Sequence, residues 1–310
     1  MQSRRDFLKK AGIGAGLMMA GAFPFESFAD EELKKITILH TNDTHSRMEP
    51  FPADGSKYEG QGGVAQRAVL IEKIRAEEAH VLLLDAGDIF QGTPYFNLYR
   101  GEPEIKALSM MKYDAVTMGN HDFDAGVEGF ANQLVHANFP VLVANYDFTR
   151  TALEHKTKPY TTITKAGIKF GIFGLGIQLK GLVPDESFGK TQYLEPIQVA
   201  RSVSERLKKR EKCDMVICLS HLGYEYDYPK VSDKILAKET DHIDLIIGGH
   251  THTFLDEPTV ITNRLGRPVT INQVGWAGLR LGRLDYGFGH KKSTNLSNAQ
   301  SVIIGKQTSG

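Results

Sequence analysis

Residues 36–45 read Ile-Thr-Ile-Leu-His-Thr-Asn-Asp-Thr-His, an apolar run that ends in a group of polar side chains. A short run of apolar and β-branched residues bounded by turn-forming residues is typical of a buried β-strand. Asp43 and His45 stand where this strand is predicted to end. The same arrangement recurs along the chain, and this repetition indicates both the fold and the candidate site.

Runs rich in Val, Ile and Leu alternate with segments of helical periodicity, which is typical of an α/β protein with buried strands. Candidate strands cover residues 36–39, 81–84, 115–118, 141–144, 168–175, 216–219 and 245–247. Candidate helices cover residues 64–79, 104–112, 128–137, 196–212 and 231–239. Residues 269–274 and 279–286 have no helix between them, so we expect a hairpin that turns at residues 275–278. Trp276 lies in this predicted turn, and the sequence predicts no role for it.

The composition fits one large globular domain. Of 310 residues, 41% are hydrophobic, and Lys plus Arg and Asp plus Glu each total 37. This balance lacks the basic footprint of a nucleic-acid-binding protein, so we expect a small-molecule substrate and no nucleic-acid partner. Cys213 and Cys218 lie beside or within one apolar run, and we expect two buried thiols without a disulfide.

The first 29 residues predict a twin-arginine (Tat) signal peptide. Arg4 and Arg5 precede an apolar, Gly-rich run at residues 11–25, and residues 27–29 read Ser-Phe-Ala, as at a cleavage site. The apolar run is about fifteen residues long, whereas a membrane span needs roughly twenty. We therefore expect a periplasmic protein without a stable membrane anchor. The predicted catalytic domain covers residues 30–286, and a polar C-terminal tail covers residues 287–310.

Polar clusters follow five of the predicted strands. They read Asp43-Thr44-His45, Gly87-Asp88, Gly119-Asn120-His121-Asp122, Ser220-His221 and Gly248-Gly249-His250-Thr251-His252. A single cluster of this kind is typical of a turn or a helix cap. Five clusters after five strands are a different matter, because side chains at the carboxyl ends of strands in an α/β sheet converge on one crevice. The pattern indicates a metal site.

The residue types also suit metal chemistry. Imidazole and carboxylate ligands without thiolate allow zinc, manganese, iron or cobalt. Seven ligands are too many for one tetrahedral ion, and they favour two divalent ions that share a carboxylate and activate a water molecule. The candidate metal ligands are Asp43, His45, Asp88, Asn120, His221, His250 and His252.

The motifs I-L-H-T-N-D-T-H, L-D-A-G-D, G-N-H-D-F-D, S-H-L-G and G-G-H-T-H resemble those of the calcineurin-like metallophosphoesterases. Within that family they are most similar to the catalytic domain of the 5'-nucleotidases and UDP-sugar hydrolases, over about residues 36–286. The resemblance implies a four-layer α/β/β/α sandwich of the metallo-dependent phosphatase type and the hydrolysis of phosphate esters. It also implies that one ion is held by Asp43, His45 and His252, that the other is held by Asn120, His221 and His250, and that Asp88 bridges them.

The resemblance makes His121 a catalytic residue rather than a metal ligand. A histidine beside two metal ions is suited to donate a proton or hydrogen bond to a phosphoryl oxygen or a leaving group. Asp124 is expected to fix the tautomer of His121 and to raise its basicity. The predicted catalytic residues are therefore His121 and Asp124.

The family's 5'-nucleotidases usually carry a C-terminal domain that binds the substrate, and the sequence matches only the catalytic domain. We therefore expect either a separately encoded partner that supplies this domain or a broad specificity. Hydrolysis of nucleotides or nucleotide sugars is the leading interpretation. A thiosulfohydrolase of the sulfur-oxidising type and a non-catalytic binding module are alternatives. A binding module is expected to lose ligands, and all seven are present.

Overall fold

The computed structural model describes residues 33–289 and 294–305. The predicted signal peptide lies outside these described residues. Strands and helices alternate through most of the described chain. The strands are β1 (Lys34–Thr41), β2 (Val81–Asp85), β3 (Ala115–Val116), β4 (Tyr146–Asp147), β5 (Tyr160–Lys165), β6 (Ile168–Leu175), β7 (Gln192–Tyr193), β8 (Met215–Ser220), β9 (Leu245–Gly248), β10 (Thr259–Thr262), β11 (Pro268–Asn272), β12 (Arg280–Phe288) and β13 (Thr294–Ile303).

Of the seven α-helices in the described residues, five overlap the predicted helical segments and two short ones were not predicted. Several have Pro or Gly in the first turn. The seven helices are α1 (Val64–Glu77), α2 (Pro94–Tyr99), α3 (Glu102–Met110), α4 (Gly126–Gln133), α5 (Asp185–Phe188), α6 (Pro196–Lys209) and α7 (Asp233–Glu239). Two single 3-10 turns, His121–Phe123 and Leu134–His136, flank α4. None of the helices in the described ranges is both long and apolar enough to cross a membrane.

Two sheets carry the fold. The first has the order β13-β12-β1-β2-β3, and the second has the order β10-β11-β9-β8-β6-β5. Strands β1, β2 and β3 run parallel, as do β6, β8, β9 and β11. The outer strands β12, β13, β5 and β10 pair antiparallel. The parallel centres bring the carboxyl ends of neighbouring strands to the same edge.

Three layers of apolar packing separate the two sheets and the helices. Between the sheets, Ile36 and Ile38 of β1 pack in one core with Phe170 and Ile172 of β6. Leu39, also in β1, points the other way into a core shared with helices α1, α3 and α4. A third core joins the second sheet to α6 and α7. Because strand side chains alternate between faces, the central strands of each sheet bury both of their faces, and the predicted four-layer α/β/β/α sandwich is confirmed.

The predicted hairpin is wrong. β11 pairs with β9 and β10 in the second sheet, whereas β12 pairs with β1 and β13 in the first. The segment between β11 and β12, residues 273–279, therefore crosses from one sheet to the other. Both strands mix apolar residues with polar residues, and nothing in their pattern distinguishes pairing with each other from pairing with separate sheets.

The polar tail predicted at residues 287–310 also needs correction, because Thr294–Ile303 form the edge strand β13. An edge strand exposes one face to solvent, and its polar residues occupy that face. Leu296 and Ala299 turn inward and pack against the core between the sheets. Residues 141–144 form only isolated bridges rather than the predicted strand. Cys213 and Cys218 are buried and unpaired, as predicted.

Candidate metal centre

The predicted ligands lie where the central strands of the two sheets end. Asp43, Asp88 and Asn120 follow β1, β2 and β3 of the first sheet. His221 and His250 follow β8 and β9 of the second. The carboxyl ends of the two parallel centres thus face one crevice, as the sequence predicts.

Asp43, His45 and His252 form one group of possible metal ligands. The Nε2 atoms of His45 and His252 are 3.0 Å apart. Asp43 Oδ1 lies 3.5 Å from His252 Nε2 and 4.0 Å from His45 Nε2. Three donor atoms at these spacings can share one ion at bond lengths of about 2.0–2.2 Å after small side-chain adjustments.

Asp88, His221 and His250 form a second group. Asp88 Oδ2 lies 3.1 Å from His221 Nε2, and Asn120 Oδ1 lies 2.8 Å from His250 Nδ1. The same Asp88 oxygen is 3.9 Å from His45 Nε2, which belongs to the first group. Asp88 therefore lies between the two groups, which is the place that the predicted bridging role requires.

Burial and charge make this donor set suitable for cations. Asp43 and Asp88 are 0% and 1% exposed, and within the described ranges they form ion pairs only with histidines. A buried carboxylate is costly unless a positive charge accompanies it. His221 Nε2 is also buried and makes no hydrogen bond within the described residues, despite its proximity to Asp88. Divalent cations fit both requirements.

Burial and the neighbouring carboxylates have opposite effects on the histidine pKa values. Burial lowers the pKa of His250 to about 4, which keeps its imidazole in the neutral form that binds metals. Burial also opposes the charged form of His221, but Asp88 and Asp43 outweigh it and raise the pKa of His221 to about 10. In the metal-free protein a protonated His221 thus partly balances the carboxylates. A bound cation would take over this role and release the proton.

Backbone carbonyl groups orient two of the histidine rings. His45 Nδ1 lies 3.2 Å from the carbonyl oxygen of Phe90, and His221 Nδ1 lies 2.7 Å from that of Ala86. With Nδ1–H donating to a carbonyl, the Nε2 atom of each ring points toward the site, where it would have to be unprotonated to bind a cation. This second hydrogen bond is what metal-binding histidines commonly use to fix their tautomer and orientation.

Five of the seven candidate ligands have backbone in the left-handed region. These are Asp43, His45, Asp88, His250 and His252, with φ between 47° and 74°. Left-handed backbone is uncommon outside glycine, although Asn, Asp and His adopt it more often than other residues. Such strained positions concentrate at functional sites, where the surrounding structure enforces them.

Two glycines allow the backbone to approach the ligands closely. A Cβ atom on Gly119 would lie 2.1 Å from Asp88 Oδ1. A Cβ atom on Gly249 would lie 2.8 Å from His221 Nδ1 and 3.1 Å from Asp43 Oδ2. The distances of 2.1 and 2.8 Å are too short for non-bonded atoms, so glycine is the residue that fits at these positions.

His121 and Asp124 lie beside the two groups in the predicted relation. His121 Nδ1 is 2.9 Å from Asp124 Oδ2, and this hydrogen bond raises the pKa of His121 above its usual value. The His121 ring packs edge-on against that of His45, with centroids 5.3 Å apart. The backbone N–H of His121 donates to Asp88 Oδ1 at 2.8 Å. Among the residues that the structure describes, His121 Nε2 has no hydrogen-bond partner.

Sequence reasoning missed two residues that shape the site. The buried carboxylate of Asp122 accepts hydrogen bonds from four backbone N–H groups, those of Asp88, Ile89, Phe90 and Gly119. It holds together the loops that follow β2 and β3. The Asn42 side chain donates to Asp43 Oδ2 and to the carbonyl of Gly275, each at 2.6 Å. Asp122 and Asn42 each lie in one of the sequence motifs, within two residues of a predicted ligand. This proximity is the sequence feature from which their roles could have been predicted.

A four-layer sandwich with two candidate metal-binding groups at the carboxyl ends of its strands places the chain in the class of metallo-dependent phosphatase folds. Comparison with known families supports this class directly. The family model of the calcineurin-like phosphoesterases matches residues 36–254. The chain belongs to the calcineurin-like phosphoesterase family.

The relatives with the most similar sequences and structures include nucleotidases. The chain is 33% identical over 297 residues to a snake venom 5'-nucleotidase of Crotalus adamanteus, covering 89% of this chain and 49% of the relative. A 5'-nucleotidase precursor from Thermus thermophilus superposes with a TM-score of 0.78 at 32% identity, over 87% of this chain and 55% of that one. The NAD nucleotidase of Haemophilus influenzae superposes with a TM-score of 0.77 at 28% identity, over 88% of this chain and 57% of that one. The chain therefore spans about half the length of the relatives it matches.

Proposed function

We propose that this chain hydrolyses phosphate esters of nucleotides with two divalent metal ions. The observation that carries the proposal is the pair of ligand groups that meet at Asp88, with His121 and Asp124 beside them. In this proposal Asp43, His45 and His252 hold the first ion. Asn120, His221 and His250 hold the second, and Asp88 bridges the two.

When bound, the two ions would supply Lewis-acid activation of the phosphoryl group and of the attacking water. The protein's own residues place them and keep the carboxylates away from solvent. Asp43 and Asp88 are held by backbone N–H groups as well as by histidines, since Asp43 accepts from His250 N at 3.0 Å and Asp88 from His121 N at 2.8 Å. These hydrogen bonds fix the carboxylate positions before any substrate arrives.

In this proposal His121 is the general acid that protonates the leaving group. The oxygen of water forms a bond to phosphorus while the ester P–O bond breaks. The water loses one proton to solvent, and the departing alkoxide takes one from His121 Nε2, which is protonated again from solvent. Asp124 keeps the proton on Nδ1 and stabilises the imidazolium, so the mobile proton is the one on Nε2. A raised pKa keeps His121 protonated closer to neutral pH, which suits a general acid.

The test combines metal analysis with product release. Purified protein is expected to bind two equivalents of divalent metal and to release phosphate from AMP or to cleave UDP-glucose. Asp88→Asn is expected to lose the second equivalent and nearly all activity. His121→Gln is expected to keep both ions and to lose on the order of 100-fold in turnover.

Each alternative has its own outcome in the same panel. Release of sulfate from a thiosulfonate substrate, with nucleotides untouched, would identify a thiosulfohydrolase. Metal binding without turnover of any ester would indicate a binding module. Full activity in Asp88→Asn would show that the assignment of the bridging residue is wrong. Metal analysis also decides among zinc, manganese, iron and cobalt, all of which accept these ligands.

Selectivity for the nucleotide is a separate proposal. The matched relatives are about twice as long as the part they share with this chain. We propose that a second domain, on this polypeptide or on a separately encoded partner, selects the base. Without such a domain, similar rates are expected for AMP and for ribose 5-phosphate. A strong preference for one nucleotide by the purified chain alone would contradict the proposal.

We propose that the twin arginine at Arg4 and Arg5 directs the folded protein to the periplasm through the Tat route. An Arg4→Lys, Arg5→Lys double variant is expected to accumulate in the cytoplasm, whereas the natural sequence appears in the periplasmic fraction. Unchanged export of the double variant would refute this proposal.

A further inference from the structure

Trp276 packs directly against one of the candidate metal ligands. It is the single tryptophan of the sequence. Its indole ring lies nearly parallel to the His252 imidazole, at an interplanar angle of 10° and a centroid distance of 5.8 Å. The sequence predicts no role for this residue, and the proposed chemistry uses none.

His252 differs from the other three candidate histidine ligands in how its ring is held. His250 Nδ1 lies 2.8 Å from Asn120 Oδ1. The rings of His45 and His221 are each oriented by a backbone carbonyl at Nδ1. Within residues 33–289 and 294–305, the Nδ1 atom of His252 has no such hydrogen bond, and 40% of its side chain is exposed. Rotation of this ring would carry Nε2 away from Asp43 Oδ1, which lies 3.5 Å from it. A ligand in this position needs another constraint.

The backbone around Trp276 is tied to the same ligand segments. Ala277 N donates to the carbonyl of Asp43 at 2.7 Å, and Gly275 N donates to the carbonyl of Thr253 at 2.9 Å. Val274 N donates to Asn42 Oδ1 at 3.0 Å. Trp276 is therefore held between the residue that follows His252 and the carboxylate residue of the first group.

Other aromatic rings support Trp276. Phe51 and Tyr58 pack edge-to-face with the indole, at centroid distances of 6.0 and 6.5 Å. The two supporting rings also contact each other at 5.7 Å. Such aromatic contacts restrict the rotation of a half-exposed ring without a hydrogen bond. The indole is thus a fixed surface for the imidazole.

We propose that Trp276 is a positioning residue that holds the His252 ring in the orientation needed to bind the first metal ion. It takes the place of the carbonyl group that orients His45 and His221. The proposal rests on the metal centre of the proposed function and adds a residue to it. It concerns the affinity of one ion, and it leaves the second ion group of Asp88, His221 and His250 unchanged.

The test is a titration of chelator-treated full-length protein with Co²⁺ or Zn²⁺ by calorimetry, with metal content as a second measurement. Wild type is expected to bind two ions. Trp276→Ala is expected to lose at least tenfold in affinity for one ion and to keep the other. Trp276→Phe retains a flat ring and is expected to restore most of the lost affinity. Retention of the second ion shows that the variant is folded.

Tyr99→Ala is a matched control. Tyr99 packs against Tyr95 in α2 in a tilted arrangement, with centroids 6.3 Å apart, and within the described part of the chain this ring pair does not include a candidate ligand. Its loss is expected to leave both affinities unchanged. If Trp276→Ala fails to fold, Trp276→Leu keeps apolar volume without a flat ring and replaces it. Weaker binding of one ion by Trp276→Leu supports the proposal, and unchanged binding overturns it.

Tryptophan fluorescence gives an independent readout. Because the chain has one tryptophan, Co²⁺ in the first site is expected to quench its emission. A His45→Ala variant is expected to lose this quenching and to retain an ion in the second site. Wild type that binds no metal would refute the proposed function itself. Two ions bound with wild-type affinities by Trp276→Ala would refute only the role of Trp276.

Discussion

Replacing His40 by Gln removes a histidine that folding must bury in its neutral form. His40 lies in β1, three residues before Asp43, and its side chain is fully buried. Asn272 Nδ2 of β11 donates to His40 Nε2 at 3.0 Å and so links the two sheets beneath the metal centre. Burial lowers the pKa of His40 from 6.5 to about 3. Protonation of His40 should therefore unfold the protein more readily at acidic pH.

The sign and size of the effect of His40 on the free energy of unfolding follow from the linkage between protonation and folding. The folded pKa lies below the unfolded pKa of 6.5, so between pH 6.5 and pH 3 the unfolded chain binds the extra proton. The contribution of neutral His40 to stability is complete above pH 6.5 and is lost as the pH falls below it. At pH 5 the pH is about 1.5 units below the unfolded pKa, and each unit costs about 1.36 kcal/mol. Burial of neutral His40 therefore lowers the free energy of unfolding by roughly 2 kcal/mol at this pH. Nothing comparable remains in His40→Gln.

The assay is urea unfolding of chelator-treated wild type and His40→Gln at pH 8, 7, 6 and 5. Other buried groups titrate with the opposite sign. Burial raises the pKa of Asp85 to about 6 and that of Asp233 to about 8, and this favours the folded state at lower pH. Only the difference between the two proteins isolates His40. Between pH 8 and pH 5 the free energy of unfolding should fall by about 2 kcal/mol more in wild type than in the variant. Parallel curves would refute the buried, neutral state of His40.

Three further predictions concern the site. Removal of metal by a chelator should abolish activity and lower the free energy of unfolding, measured by denaturant titration, by about 2.7 kcal/mol per ion at 100 times its Kd. Asp124→Asn should reduce kcat by about 10- to 100-fold. It should also move the alkaline limb of the pH–rate profile to lower pH, because the raised pKa of His121 depends on Asp124. An unmoved limb would contradict the acid role of His121. His252→Gly should be more stable than His252→Ala in the metal-free protein, by about 1 kcal/mol, because φ is 53° there. At His136, which lies in a 3-10 turn outside the left-handed region, thermal melts should show the reverse order.

The fold was predictable where local pattern and tertiary environment agree. The strands that carry Asp43, Asp88 and His221 are short apolar runs buried on both faces, so composition alone marks them. The metal-binding role of these residues could also be predicted from the sequence. Asp and His that occur together directly after a buried strand seldom have a purely structural role. The structure brings the seven predicted ligands together, and their roles as ligands remain a proposal for the metal titration to test.

Elements whose environment is set by distant parts of the chain escaped prediction. Strand β13 is polar because one of its faces meets solvent, so its pattern resembles a tail. The pairing of β12 with β1 joins residues about 250 positions apart, and no local feature of residues 269–286 specifies it. Trp276 is informative only once the crossing segment is seen to run past His252. These failures share one cause, which is that register and sheet order depend on contacts between segments rather than on each segment alone.

The left-handed backbone of the ligand loops explains how chemistry and conformation coincide at this site. Asp43 N donates to Gly87 O at 2.8 Å and His45 N donates to Asp88 O at 3.0 Å, so the parallel pairing of β1 and β2 continues past the ends of both strands. Within this continued pairing, Asp43, His45 and Asp88 each adopt positive φ. Each such residue costs of order 1–3 kcal/mol, and the flanking hydrogen bonds hold it in place. Asp and His tolerate this backbone better than most residues, and they are also the ligands that hard and borderline cations prefer. A loop that must both turn sharply and bind a divalent ion therefore admits few other side chains.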